Sequence, residues 1–277
     1  MRSLSPPAAE VYRTDRDRFV TALFAPPDRR EDLFALYAFA VTLARVGETS
    51  TEPLAGHIRL QWWRETLAGD GPDARGNPLA EAVRHAVRRH GLARADLLAL
   101  IDATAAVLDP LPIADTTALL AHAAAVAWPM TRLGLGLLGK DILLASPAAE
   151  RVIQVTTAGV LGGILRATPR HLARGRILMP IDRLRTAGVV PERLLAGERS
   201  PGVATVAAEI AAVAMTVLPP ASATAQIPPE IAPLLLHAIT TRVLLARLRR
   251  RGFNLFAPRA VTPPIVRLWL ANRFGRY

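Results

Sequence analysis

Apolar residues recur every three to four positions along almost the whole chain, which is the spacing of buried helical faces. No stretch alternates polar and apolar residues as a half-buried strand would. The pattern predicts a first helix from Ala8 to Phe24, ended by Pro26-Pro27. A second starts at Asp28, a good cap, with Glu31 and Asp32 at its positive end. Leu33, Leu36, Tyr37, Ala40, Leu43 and Ala44 form its apolar face, and Gly47 reads as its terminator. A partner helix from near Ser50 carries RLQWWRETL, Arg59 to Leu67, so the two form a helical hairpin. Gly69 to Pro78 is a loop. Asn77 caps and Pro78 opens a helix to about His90.

Arg94 to Leu108 is a further helix, closed by Asp109-Pro110. Asp115 or Thr116 caps a long apolar helix to about Leu138, with Pro129 expected to kink it. Ser146 caps and Pro147 opens a helix to about Arg174, with Pro169 inside and Gly175 beyond. Short helices follow over Pro180 to Ala187 and Pro191 to Ala196, then a longer one over Pro201 to Leu218. Pro219 to Pro229 is a loop. Glu230 to Arg251 and Thr262 to Phe274 complete the helices. There is no internal repeat and no long linker, so a single all-α domain over residues 1–277 is expected.

Of the 277 residues, 51% are apolar, enough for a large buried core. Cysteine is absent, which removes disulfide and thiolate chemistry and fits a reducing compartment. MRSLSPPAAEVY has no apolar core of signal-peptide length. The longest apolar run, Val203 to Leu218, contains Glu209, so no transmembrane helix is expected and the chain is placed in the cytoplasm. The formal charge is +11, and Lys140 is the sole lysine. Arginine bias in a GC-rich genome explains this, as does an anionic membrane or ligand. Nucleic acid ranks last: aromatics are 5% of the chain, and the arginines are scattered.

LYAFAVTLARVGETS followed by IRLQWW resembles the first motif region of the squalene/phytoene synthase family. GGILRATPRHLARGRILMP, Gly162 to Pro180, is similar to its second motif, and RGFNLFAP, Arg251 to Pro258, to its C-terminal region. The resemblance implies an isoprenoid-synthase-like helical bundle around a central cavity. In the family's enzymes, aspartates from both motifs hold Mg²⁺, which neutralises the diphosphate leaving from a prenyl substrate. Here the arginine position of the first motif is Val41, and the aspartate positions are Ala44, Arg45 and Glu48. In the second motif the asparagine position is Gly163, and the aspartate positions are Ala167 and His171. Arg166, Gly175-Arg176 and Pro180 survive.

Magnesium clusters need hard carboxylate oxygens, and one carboxylate at Glu48 beside Arg45 does not supply them. No metal ligand and no cofactor are therefore expected, with Mg²⁺ reserved for the alternative of an active prenyl transferase with an atypical site. The resemblance is strongest to an aspartate-lacking branch that includes a mitochondrial complex I assembly factor. It implies a non-catalytic protein whose partners are complex I subunits or assembly intermediates, or a binder of a prenyl or lipid ligand.

Arg45, Glu48, Arg166, Arg170, His171 and Arg174 are the candidates for a cavity that binds an anion. The competing reading pairs Arg166 internally, with Glu48 as the partner, and leaves the other arginines solvated. His171 has no second ligand in sequence reach and reads as structural. One of Trp62 and Trp63 is expected inside and one at a boundary, with Tyr37 and Phe39 in the core. The GxG at Gly134 and Gly136 follows no strand and is not a dinucleotide site. Near the C-terminus, Arg267, Trp269 and Arg273 are candidates for contact with an anionic membrane surface at its inner face. The alternative docks that segment on the core.

Overall fold

A computed structural model describes residues 4–50, 52–68, 74, 76–108, 113–220, 227–257 and 262–277. These residues form fourteen α-helices and two 3₁₀ turns, and among them there is no strand. The expected all-α architecture is therefore the observed one. Asp109, Pro110, Pro258 and much of the expected loops at 69–78 and 219–229 lie outside the described residues.

The helix expected from Ala8 to Phe24 is two helices, α1 (Pro6–Thr14) and α2 (Arg16–Ala22). Asp15 separates them, because its carboxylate accepts the Arg18 backbone N–H at 3.0 Å and caps the second helix. A capping side chain competes with the helical ladder, so the chain turns there. Helix α3 (Arg30–Thr49) follows. Asp28 does not cap it: Arg29 is the N-cap residue, and Asp28 pairs with the Arg29 side chain instead.

Every residue from Asp32 to Val41 in α3 is buried. The helix is thus sheathed on all sides, as an apolar helix in a domain centre must be. Gly47 does not terminate α3 but lies buried within it. A Cβ there would sit 3.0 Å from Val107 Cγ1 and 3.7 Å from His171 Cε1, so glycine permits the close approach of two neighbours.

Helix α4 (Pro53–Ala68) brings Trp63 into the core, while Trp62 is half-buried, their rings edge-on at 5.0 Å. Helix α5 (Pro78–His90) is capped by Asn77 and stopped by left-handed Gly91. Helices α6 (Arg94–Ala105) and α7 (Thr116–Leu137) follow, the latter capped by Asp115 and containing Pro129. Helix α8 (Pro147–Leu172) is opened by Pro147; Ser146 makes no cap bond, since its hydroxyl donates to the Leu143 carbonyl.

Short helices α9 (Ile181–Thr186) and α10 (Pro191–Leu195) lead to α11 (Gly202–Val217). The helix expected from Glu230 to Arg251 is broken into a 3₁₀ turn at Pro229–Ile231, α12 (Ala232–Leu235) and α13 (His237–Arg250). Gly134 of α7 accommodates the Leu234 side chain, where a Cβ would be 3.1 Å away, so the GxG serves helix packing. The stretch Pro229–Arg250 is long and apolar enough to cross a membrane, but 67% of its apolar window is buried inside the domain. Helix α14 (Ile265–Phe274) closes the chain. Helix α8 is the hub, packed against α3, α7, α11, α12 and α13.

Candidate cavity site

Helices α3, α6, α7, α8 and α13 supply most of the lining of a half-open cavity of about 710 Å³. That volume is in the range of about 300–1,000 Å³ common to small-molecule sites. Its walls are apolar at Val126, Met130, Val155 and Leu234, among others. Both motif regions reach it: Val41, Ala44, Arg45 and Glu48 from α3 face Gly163, Ala167 and His171 from α8. The expected opposition of the two motifs is thus observed.

Charges collect on the α1–α3–α8 side. Arg170 grips Glu48 with two bonds, Nε to Oε2 at 2.5 Å and Nη2 to Oε1 at 3.1 Å. Arg174 donates to the Glu48 carbonyl at 3.3 Å. Arg166 pairs with Asp15 and Asp17, each at 3.7 Å, and not with Glu48 as the sequence suggested. The reason is position: Arg166 lies one helical turn before Arg170, beside the α1–α2 break, and Arg170 already occupies Glu48. Arg45 pairs with Glu10 at 3.1 Å. Arg176, 8% exposed, donates to the Gly47 carbonyl at 2.8 Å and the Ser50 carbonyl at 3.0 Å.

Burial raises the Asp15 carboxyl, but Arg166, Arg18 and the cap bond outweigh it and hold the group below its ordinary value. Asp17 moves the other way, pushed up by burial and by the neighbouring Asp15 charge. His171 is driven down to about 4 by burial, against the pull of Glu48. Burial also lowers His122, on α7. At the far corner, His237 Nε2 lies 3.1 Å from the Tyr37 hydroxyl and 3.2 Å from Thr21 Oγ1. Burial, then Arg18, depresses His237 to about 3, and burial pushes Tyr37 up. Tyr37 and Phe39 are buried as expected, but Tyr37 also forms cavity wall.

Sequence reasoning missed Asp15, Asp17, His122 and His237. The alternation TDRDRF was a usable signal, since acids and arginines at adjacent positions inside an apparent helix mark a candidate cap and break.

The membrane candidates lie on α14, away from the cavity. Leu268 and Ala271 are buried against the domain. Trp269 and Phe274 are 58% and 64% exposed, and Arg267 and Arg273 are exposed beside them. The helix therefore docks through one face and presents an apolar, arginine-flanked face outward.

The family described as squalene/phytoene synthase matches residues 11–267. NADH dehydrogenase (ubiquinone) complex I, assembly factor 6 of Bos taurus is 30% identical over 255 residues, covering 90% of this chain and 74% of the relative. A phytoene synthase of Thermus thermophilus is 26% identical, covering 87% of this chain and 82% of its own. Among solved structures, a dehydrosqualene synthase in complex with ligand superposes with a TM-score of 0.72 at 16% identity, covering 97% of this chain and 94% of that one. The likeness to that structure shows the shared fold.

Proposed function

The chain belongs to the squalene/phytoene synthase family, and from that premise we propose that it serves the assembly of respiratory complex I by binding and not by prenyl transfer. The observation that carries this reading is the 30% identity to assembly factor 6 across 90% of the chain. The donor chemistry of the cavity supports it. Magnesium would need free carboxylate oxygens, but Glu48 is held by Arg170, and Asp15 and Asp17 share Arg166. Each of these guanidiniums would repel a divalent ion, so the site does not suit Mg²⁺. The cavity volume and apolar walls support a retained prenyl or lipid ligand as part of the same role.

Deleting the gene in its native host is expected to lower assembled complex I on native gels and NADH-dependent quinone reduction by membranes, both restored by the gene in trans. The purified protein with Mg²⁺ and farnesyl diphosphate is expected to release no diphosphate above background. Normal complex I in the deletion, or turnover abolished by Glu48→Ala, defeats the reading.

The same reading places the protein in the cytoplasm, at the inner face of the membrane, through the outward face of α14. Aromatic residues suit the headgroup boundary, and each arginine near an anionic surface contributes about 1 kcal/mol. Arg267→Gln is therefore expected to weaken binding to phosphatidylserine vesicles about fivefold, with no change in melting temperature, and rising salt to weaken it further. Equal affinity for neutral and anionic vesicles would remove the membrane from the proposal.

A further inference from the structure

Two imidazoles, one from each of two facing helices, line the cavity between its apolar walls and the charged side that carries Glu48 and Arg170. His122 is on α7 and His171 on α8, near enough that the charge of one acts on the other. His171 is 6% exposed. Of its two ring nitrogens only Nδ1 is sealed off without a partner. Burying an N–H there with no acceptor costs more than leaving a bare nitrogen, which favours the proton on Nε2. Nε2 is then the nitrogen left to meet a ligand, as a donor. Burial keeps both rings neutral at pH 7.

Three arginines on the charged side of the cavity are paired with carboxylates, while Arg174 is held by the Glu48 backbone carbonyl. Arg45 has Glu10, Arg166 has Asp15 and Asp17, and Arg170 has Glu48. A diphosphate entering there would compete with these carboxylates for the arginines and set its own negative charge beside Asp15, Asp17 and Glu48, and like charges repel in a partly buried site. A neutral head beside two neutral imidazoles carries no such cost and satisfies their free nitrogens.

We propose that the cavity selects a prenyl or lipid molecule whose head is a neutral hydroxyl or carbonyl, hydrogen-bonded by His171 and His122, in preference to a diphosphate. This rests on the reading of the cavity as a ligand site and names the class of ligand it takes. The hydroxyl or carbonyl oxygen accepts from an imidazole N–H, and a hydroxyl can also donate its O–H to the bare nitrogen of the other ring. The chain of the ligand fills the space between Met130, Val155 and Leu234.

Three probes with the same chain separate the possibilities: farnesol, farnesyl diphosphate and headless β-farnesene, measured by calorimetry and native mass spectrometry on the full chain. Farnesol is expected to bind about tenfold tighter than β-farnesene and at least about tenfold tighter than the diphosphate. His171→Phe and His122→Phe are each expected to weaken farnesol toward the β-farnesene level while β-farnesene itself still binds, which shows an intact cavity. Should one variant fail to fold, the other and the ranking of the three probes on the unaltered protein still decide. Tighter binding of the diphosphate than of farnesol overturns the proposal but leaves the cavity a ligand site. Equal binding of farnesol and β-farnesene overturns it too. No binding of any probe removes the ligand site itself, a failure distinct from a wrong head group.

Discussion

Arg176→Met is expected to lower the free energy of unfolding by about 2–4 kcal/mol, read as a fall in urea midpoint at unchanged slope. The side chain reaches from the turn after α8 to the C-terminal end of α3, where the Gly47 and Ser50 carbonyls accept from one guanidinium nitrogen. Helix C-termini leave their last carbonyls unpaired and carry partial negative charge, so a buried cation there satisfies both needs. Burial, and then the nearby Arg174 charge, lowers the Arg176 pKa, which shows that desolvation offsets part of the gain. Methionine keeps the packing of the stem but leaves two carbonyls without donors. Lysine should recover part of the loss, because an ammonium donates but lacks the planar fork. Arg170→Ala makes the contrast: that side chain is 53% exposed, and its loss should cost under about 1 kcal/mol. A cost at Arg176 no greater than at Arg170 would refute the capping role.

The order of helices was legible because capping is local. Asn77, Asp115 and Pro147 act within three residues of themselves, and each sits where its helix begins. Gly47 was misread because the same residue type serves two purposes, and only the neighbouring Val107 and His171 reveal which. The break at Asp15 was missed because a break inside a continuous apolar period leaves the period intact on both sides. The resemblance brought the two motif regions to one cavity, but the partners of its arginines could not be read from sequence. Arg170 and Glu48 are 122 residues apart, and nothing in either neighbourhood says that Arg166 turns to Asp15 and Asp17 instead. The corner where Tyr37, Thr21 and His237 meet joins three helices and was invisible for the same reason.

Acidification from pH 7 to pH 5 is expected to remove on the order of 2 kcal/mol of stability for each of His171 and His237. The sign follows from their lowered values, about 4 and about 3 against 6.5 for the unfolded chain. A depressed group contributes stability above its unfolded pKa and loses it as pH falls toward the folded value, because the unfolded chain takes up protons that the fold excludes. Burial is the main cause for both rings. His122 is lowered as well and adds in the same direction. Asp15, held low, loses its contribution only under more acidic conditions, below its ordinary value near 3.8. Asp17, held high, acts in the opposite sense and offsets part of the loss. Denaturant titrations at pH 7 and pH 5 measure the slope. The readout is the difference between the two pH values, not stability itself, since His237 also anchors Tyr37 and Thr21. Combining His171→Phe with His237→Gln should remove most of the pH dependence in this window, whatever it does to stability at pH 7. An undiminished slope in the double variant would show that other groups carry the acid response, and that these two rings are not held neutral by the cavity.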